Sequence, residues 1–188
     1  MTEIGYYAFQ NCTSLTSVTI SNGVTSIGEY MFKDCANLTS VTIPDSVTTI
    51  GSYAFDSCTG LTSVIIGNGV TSIDNYAFRN CTGLTNVTIP SNVTSIGSYA
   101  FDLCTNLIEI TINSQNAVNS FRYWRVNSIS SVTVGNDITS IGNEAFLNCT
   151  GLTNVTIPDG IISIGYRAFF GCSNLVNVTI PDSVTDIG

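Results

Sequence analysis

The 188-residue sequence has no histidine and only five basic residues, against thirteen acidic ones. The resulting net charge of -8 opposes electrostatic capture of nucleic acid or anionic lipid. No stretch approaches the roughly 20 consecutive apolar residues that span a bilayer. We therefore expect neither nucleic-acid binding nor membrane insertion.

Catalytic chemistry also lacks its usual residues. Without histidine, the commonest general base near neutral pH and a frequent zinc ligand are both missing. The acidic residues are scattered over different positions, and no nucleophile with a base, phosphate-binding glycine loop or calcium-binding motif is present. The sequence thus favours a protein that is not an enzyme and needs no cofactor or metal.

A 23-residue repeat organises the chain. Phenylalanine recurs at this spacing with one interval of 45, and a cysteine and then a leucine follow it at steps of three. The phenylalanines are Phe9, Phe32, Phe55, Phe78, Phe101, Phe146 and Phe169. Because one unit cannot bury its own apolar face, such repeats stack into a solenoid. We predict one solenoid domain over residues 1–188. Dividing the length by the period gives about eight coils.

Each unit contains two extended stretches and a compact one. In residues 61–66, Leu-x-x-Val-x-Ile alternates apolar and hydroxyl residues, the pattern of a half-buried strand, and Val70 to Ile73 supplies a second short strand. The segment Gly-x-Tyr-Ala-Phe-x-x-Cys is too short for an independent helix, and we predict a helical or 3-10 turn there. Its first glycine is expected at a corner with positive φ or crowded backbones.

The repeat Leu-x-x-Val-x-Ile-Pro-x-x-Val-x-x-Ile-Gly-x-x-Ala-Phe-x-x-Cys resembles the BspA-like, or Treponema-type, leucine-rich repeat. The resemblance covers nearly the whole chain. It implies a mainly β curved rod with a parallel sheet, and a protein exported to or displayed on the cell surface. It also implies adhesion to a protein or glycan ligand on host matrix or cells.

One coil departs from the pattern. Around residues 113–134 the spacing is 22, the cysteine is missing, and a cluster of aromatic and basic residues appears. Arginine and aromatic residues dominate binding hot spots, so the cluster is a candidate ligand contact. The alternative is that Trp124 or Tyr123 packs where phenylalanine normally lies. The cluster comprises Phe121, Arg122, Tyr123, Trp124 and Arg125.

Threonine recurs at the outward position of the first strand, with Ile65 as the exception. This polar, nearly uncharged column is a second candidate contact, although threonine is also simply favourable in strands. Its members are Thr19, Thr42, Thr88, Thr111, Thr133, Thr156 and Thr179. The seven cysteines share one repeat position, so we read them as buried apolar thiols rather than disulfides or metal ligands.

The two ends of the chain fall at the same phase of the repeat, with Ile4-Gly5 at one end and Ile187-Gly188 at the other. We interpret the chain as a fragment of a longer repeat protein. The leading functional hypothesis is a non-catalytic surface module that binds a macromolecule through its repeat face. The alternative is a structural protein that assembles head to tail into filaments.

Overall fold

The computed structural model describes residues 5–124, 126 and 128–188. Fifteen short elements alternate along the chain. Strands of three or four residues form the first series: β2 (Ser40–Ile43), β4 (Ser63–Ile66), β6 (Asn86–Ile89), β8 (Glu109–Ile112), β9 (Ser131–Val134) and β11 (Asn154–Thr156). Two-residue strands form the second series: β1 (Ser26–Ile27), β3 (Thr49–Ile50), β5 (Ser72–Ile73), β7 (Ser95–Ile96), β10 (Ser140–Ile141), β12 (Ser163–Ile164) and β13 (Asp186–Ile187).

Strands of both series pair in parallel with their counterparts in neighbouring coils, as predicted for a parallel solenoid, and each series is divided into two sheets. The first series forms a two-stranded sheet, β2-β4, and a four-stranded sheet, β6-β8-β9-β11. Single bridges at Ser17 and Asn177 extend this series to eight rungs. Seven full turns separate these eight rungs, which confirms the predicted solenoid.

The core is one continuous column of apolar side chains inside the coils. The alternation predicted for the first strand is observed, since β2 shows an exposed-buried-exposed-buried pattern along Ser40–Ile43. Leu61, Val64 and Ile66, predicted to point inward, are all buried. Phenylalanine rings stack from coil to coil, with centroids 5.2 Å apart between Phe32 and Phe55.

The segment between the two strand series is a chain of single turns, where a helical or 3-10 turn was predicted. We call residues 51–58, and the equivalent eight residues of every coil, the turn segment. Tyr53 and Ser57 have φ of 58° and 61°, in the left-handed region, which interrupts any helix. The N–H of Cys58 still donates to the Phe55 carbonyl at 3.2 Å. The segment therefore keeps the i to i-3 hydrogen bonds of a 3-10 turn without forming a continuous helix.

The glycine that begins most turn segments is required by crowding rather than by its φ, as Gly51 shows. A Cβ built on Gly51 would lie 2.9 Å from the backbone of Ile27 and Glu29 in the preceding coil. Gly171 is the one glycine with positive φ among the described residues, and it occupies a different position. Of the two predicted alternatives, positive φ or crowded backbones, the structure shows crowding at Gly51.

The irregular coil replaces its second strand with helix α1 (Gln115–Ser120), followed by a 3-10 turn over Phe121–Tyr123. Ser114 caps α1 by accepting a hydrogen bond from the N–H of Ala117. The Gln115 side chain reaches β10: its Nε2 donates to the Ser140 carbonyl at 2.7 Å, and its Oε1 accepts from the Ser140 N–H at 3.2 Å. A side-chain amide thus supplies the pairing that a strand supplies elsewhere.

Leu103 has a left-handed backbone conformation that is less favourable for leucine than for the residues at the equivalent positions of other coils. Its φ is 61°, and the equivalent positions in the other regular coils hold asparagine, aspartate, serine or glycine. A non-glycine residue in the left-handed region costs about 1 to 2 kcal/mol, and asparagine tolerates that region better. Leu103 is also 55% exposed, so its side chain recovers little burial energy.

We predict that Leu103→Asn raises the free energy of unfolding by about 1 kcal/mol, because it relieves this strain. Urea denaturation of the variant and the parent protein measures the difference. Asn80→Leu is the matched control. Asn80 lies at the equivalent position one coil earlier with φ of 57°, so this substitution should lower the free energy of unfolding. Equal stability of the Leu103 variant and the parent would contradict the interpretation.

Candidate functional site

The outward face of the four-stranded sheet carries a continuous column of threonine. Thr88, Thr111, Thr133 and Thr156 are direct register partners on adjacent parallel strands. All are exposed except Thr111, which is half-buried. A second column beside it holds Asn86, Glu109, Ser131 and Asn154 in the same register. We call these two columns of side chains the threonine face.

The threonine hydroxyls of this face differ in their hydrogen bonding from those on the other side of the coil. Thr71 and Thr94, on the other side of the coil, donate their hydroxyls to carbonyls of the preceding coil at 3.1 Å. Within the described part of the chain, the hydroxyls of Thr88, Thr111 and Thr133 form no such bond. Each therefore keeps a donor and acceptor for solvent or a ligand.

The remaining predicted threonines lie outside this face. Thr42 is exposed on β2, where its register partner is Ile65 on β4. Thr19 and Thr179 are exposed in the first and last rungs, beside single bridge residues rather than full strands. Ile65 is 59% exposed and lies where the first strand series divides into two sheets. The column is therefore continuous only from Thr88 to Thr156.

Two members of the predicted aromatic cluster are core residues, which corrects their assignment as ligand contacts. Trp124 is fully buried and Phe121 is 2% exposed. Their rings bridge Phe101 and Phe146, with centroids 5.3 Å apart for Phe101 and Trp124 and 4.9 Å apart for Phe121 and Phe146. The loss of the regular turn segment leaves a space in the phenylalanine column, and these two rings fill it.

Arg122 and Tyr123 remain at the surface. The Arg122 guanidinium lies 2.6 Å from a Glu144 carboxylate oxygen and 4.7 Å from the centre of the Tyr123 ring. It also donates to the Tyr123 hydroxyl at 2.5 Å. Tyr123 is 47% exposed, so a ligand can reach it. Arg125, the fifth member of the predicted cluster, lies outside the described residues.

A buried carboxylate was missed by sequence reasoning. Asp56 is fully buried, with its oxygens 2.5 Å from Lys33 Nζ and 2.8 Å from Arg79 Nε. These three residues occupy one repeat position in successive coils, and their alternating charges at a spacing of 23 were the available signal. Because both partners are cationic, the pairing offsets the desolvation cost of the carboxylate. We assign this cluster to holding coils together.

The cysteine column is buried as expected, except in its first and last members, Cys12 and Cys172, which are half-buried. Cys58 and Cys81 donate to the Phe32 and Phe55 carbonyls at 3.1 and 3.2 Å, which explains why cysteine suits this position. All seven cysteines are free. Desolvation by burial raises the pKa of the Cys149 thiol to about 12, so it is a poor nucleophile near neutral pH.

We also looked for a metal site and a membrane-spanning helix among the described residues. No group of three or more cysteine, aspartate or glutamate side chains is placed to hold a metal ion there. None of its helices is long and apolar enough to cross a membrane.

The fold and the threonine face define a parallel β-solenoid with a polar, outward-facing sheet. The chain matches the BspA type leucine-rich repeat region, in six copies, over residues 2–123 and 116–188. It therefore belongs to the BspA-type leucine-rich-repeat family. A search of curated proteins finds no match.

Solved structures of other bacterial leucine-rich-repeat proteins share this architecture. One from Bacteroides ovatus is 31% identical, with a TM-score of 0.65 over 100% of this chain and 49% of that one. The Treponema pallidum leucine-rich-repeat protein is 23% identical, with a TM-score of 0.69 over 93% of this chain and 83% of its own. A leucine-rich cell surface protein of Faecalibacterium prausnitzii is 28% identical, with a TM-score of 0.50 over 99% and 66%. The chain thus spans about half the length of the Bacteroides ovatus protein.

The raised pKa of Cys149 predicts a loss of stability at alkaline pH. The thiol ionises near pH 8.5 when unfolded and near 12 when folded. Between these values the unfolded state binds fewer protons than the folded state, so stability falls as pH rises. The stabilisation that the protonated Cys149 thiol contributes is fully present below about pH 8.5 and is lost toward pH 12.

Cys149→Ala removes this titration, so the stability advantage of the parent over the variant should shrink as pH rises from 8 to 11. Urea unfolding midpoints of the two proteins across this range test it. Tyrosine and lysine ionise in both proteins, so their effects cancel in the difference. A difference that stays constant with pH would contradict the prediction.

Proposed function

We propose that this chain is a non-catalytic recognition module that binds a protein or glycan ligand through its threonine face. The observation that carries this proposal is the register of Thr88, Thr111, Thr133 and Thr156 on the outward face, where their hydroxyls form no hydrogen bond with other described residues. A fixed array of donors and acceptors on a rigid sheet limits the ordering cost of binding.

The composition of this face favours particular partners. Glu109 is the one charged residue in its two columns. A nearly neutral face binds through hydrogen bonds and shape rather than through charge attraction. Neutral glycans and polar protein surfaces fit this chemistry better than strongly charged polymers.

The proposed location is the cell surface or extracellular space. It is supported by membership of the BspA-type family and by the likeness to a leucine-rich cell surface protein of Faecalibacterium prausnitzii. Adhesion to host matrix proteins or to other cells is the corresponding proposed role.

We predict that Thr111→Lys with Thr133→Lys weakens ligand binding by about tenfold or more, because two ammonium groups would displace hydroxyl contacts at the centre of the face. Binding to immobilised extracellular-matrix proteins, mucin and neutral glycans is measured for the parent and variant. Thr105→Lys with Thr150→Lys is the matched control, since both residues are exposed outside the sheets. No binding to any member of the panel, or equal binding by parent and variant, would contradict the proposal.

Head-to-tail assembly stays a prediction of the sequence. Sedimentation velocity over a hundredfold range of concentration tests it, because an open, non-closing interface gives species that grow with concentration. A single monomeric species at every concentration would contradict this alternative.

A further inference from the structure

Five tyrosines form a column along the turn segments of the first five coils. Neighbouring ring centroids lie 4.7 to 5.2 Å apart, and the planes of neighbouring rings differ by only 5 to 14°. All five residues share one backbone conformation, with φ between 58° and 62°, so their hydroxyl-bearing edges point the same way. We call this set the tyrosine column, and its members are Tyr7, Tyr30, Tyr53, Tyr76 and Tyr99.

The rings of the tyrosine column are held in place by their surroundings. The N–H of Tyr53 donates to the Asn75 carbonyl at 3.1 Å, which fixes its backbone against the next coil. The Arg79 guanidinium lies 5.5 Å from the centre of the Tyr53 ring and 5.3 Å from that of Tyr76. Because a cation at this distance is attracted to an aromatic ring, Arg79 limits the movement of both rings.

The tyrosine column is also accessible to solvent. Tyr7 is 54% exposed, and the other four members are half-buried. Tyr30, Tyr53 and Tyr76 each have a neighbouring ring on both faces, so their exposed part is the ring edge. This edge carries the hydroxyl and the two ring carbons ortho to it. An oxidant can therefore reach the reactive edge of a ring whose faces stay against its neighbours.

Phenol side chains couple to each other after oxidation. Each of two phenols loses one electron and one proton, and the two phenoxyl radicals join through a bond between carbons ortho to their oxygens. The hydrogen on each of these carbons then moves to an oxygen and restores the aromatic ring. Hydrogen peroxide, acting through a haem peroxidase, takes up the two electrons and two protons and becomes two water molecules. Radicals that are already side by side react with each other readily, because no diffusional encounter is needed.

We infer that the tyrosine column is a site of oxidative dityrosine cross-linking, in which a peroxidase and peroxide join neighbouring coils covalently. Each cross-link connects residues that are 23 apart in the sequence, so it closes a loop of the chain as a disulfide does. The seven cysteines are all free and supply no such link. The inference concerns the turn segments and is independent of ligand binding by the threonine face.

The cross-links can be located by their position relative to tryptic cleavage sites. The full chain, at low micromolar concentration, is treated with a haem peroxidase and hydrogen peroxide, and the monomer is isolated and digested with trypsin. Trypsin cuts after Lys33 and separates Tyr30 from Tyr53, so a link between them joins fragments 1–33 and 34–79. Tandem mass spectrometry locates each link, and dityrosine fluorescence measures the total yield.

Tyrosines outside the column provide an internal comparison. Tyr166 and Tyr123 are 53% and 47% exposed, and Tyr6 is 63% exposed. If exposure alone decided the reaction, these residues would form the main links, and mostly between molecules. We expect links between column neighbours to be about tenfold or more as abundant as those at Tyr166, because stacking replaces diffusional encounter.

Two substitutions should give reciprocal results. Tyr53→Phe keeps an aromatic ring in the stack but removes the phenol, so the Tyr30–Tyr53 link should disappear while the Tyr76–Tyr99 link remains. Tyr76→Phe should have the opposite effect. Tyr166→Phe is the matched control and should leave both links at the yield of the parent. Equal thermal unfolding of the untreated variants and the parent shows that the fold is kept.

The cross-linked monomer should unfold at a higher urea concentration than the untreated protein, because the links restrict the unfolded chain. Several results would overturn the inference. These are a monomer without dityrosine, links mainly at Tyr6, Tyr123 and Tyr166, and equal loss of both links in Tyr53→Phe and Tyr76→Phe. An unchanged urea midpoint of the cross-linked monomer would also overturn it, since the links would then not join the coils.

Discussion

The structure depends on the stacking of equivalent residues from one coil to the next. At regular junctions, phenylalanine stacks on phenylalanine, and three turn-segment N–H groups bond to the following coil. Each coil alone has only a few inward residues, so its core becomes continuous only through its neighbours. Features that depart from the repeat are therefore the places where local chemistry differs.

Stacking also explains conformations that would be unfavourable in isolation. Tyr53 adopts the left-handed region, which is costly for a bulky residue. Its ring is stacked between Tyr30 and Tyr76 at 4.8 and 4.7 Å, and its N–H is bonded to the next coil. Asp56 is stabilised in the same way, by a cation from the coil before and another from the coil after.

Much of the fold follows from the period alone. The 23-residue spacing predicted the parallel rungs, and the alternation in residues 61–66 predicted which side chains are buried. The turn segment was predicted less well. Phe55 and Cys58 share a face both in a helical turn and in the observed turns, so their spacing could not reveal the left-handed residues between them.

The candidate site was predicted unevenly for a related reason. The threonine column lies in regular strands, so its outward direction followed from the repeat. The aromatic cluster lies where the repeat fails, and residue type alone could not distinguish buried Trp124 from exposed Tyr123.

The central claim is that each coil is stabilised by the equivalent residues of its neighbours. A double-mutant cycle on Phe55 and Phe78, whose ring centroids lie 5.2 Å apart, tests it most directly. Stacked rings contribute about 0.5 to 1.5 kcal/mol beyond their burial, so the free energies of unfolding of Phe55→Leu, Phe78→Leu and the double variant should show a coupling of about 1 kcal/mol. Phe55 and Phe101 lie two coils apart and should show a coupling near zero. No coupling between Phe55 and Phe78 would contradict the account.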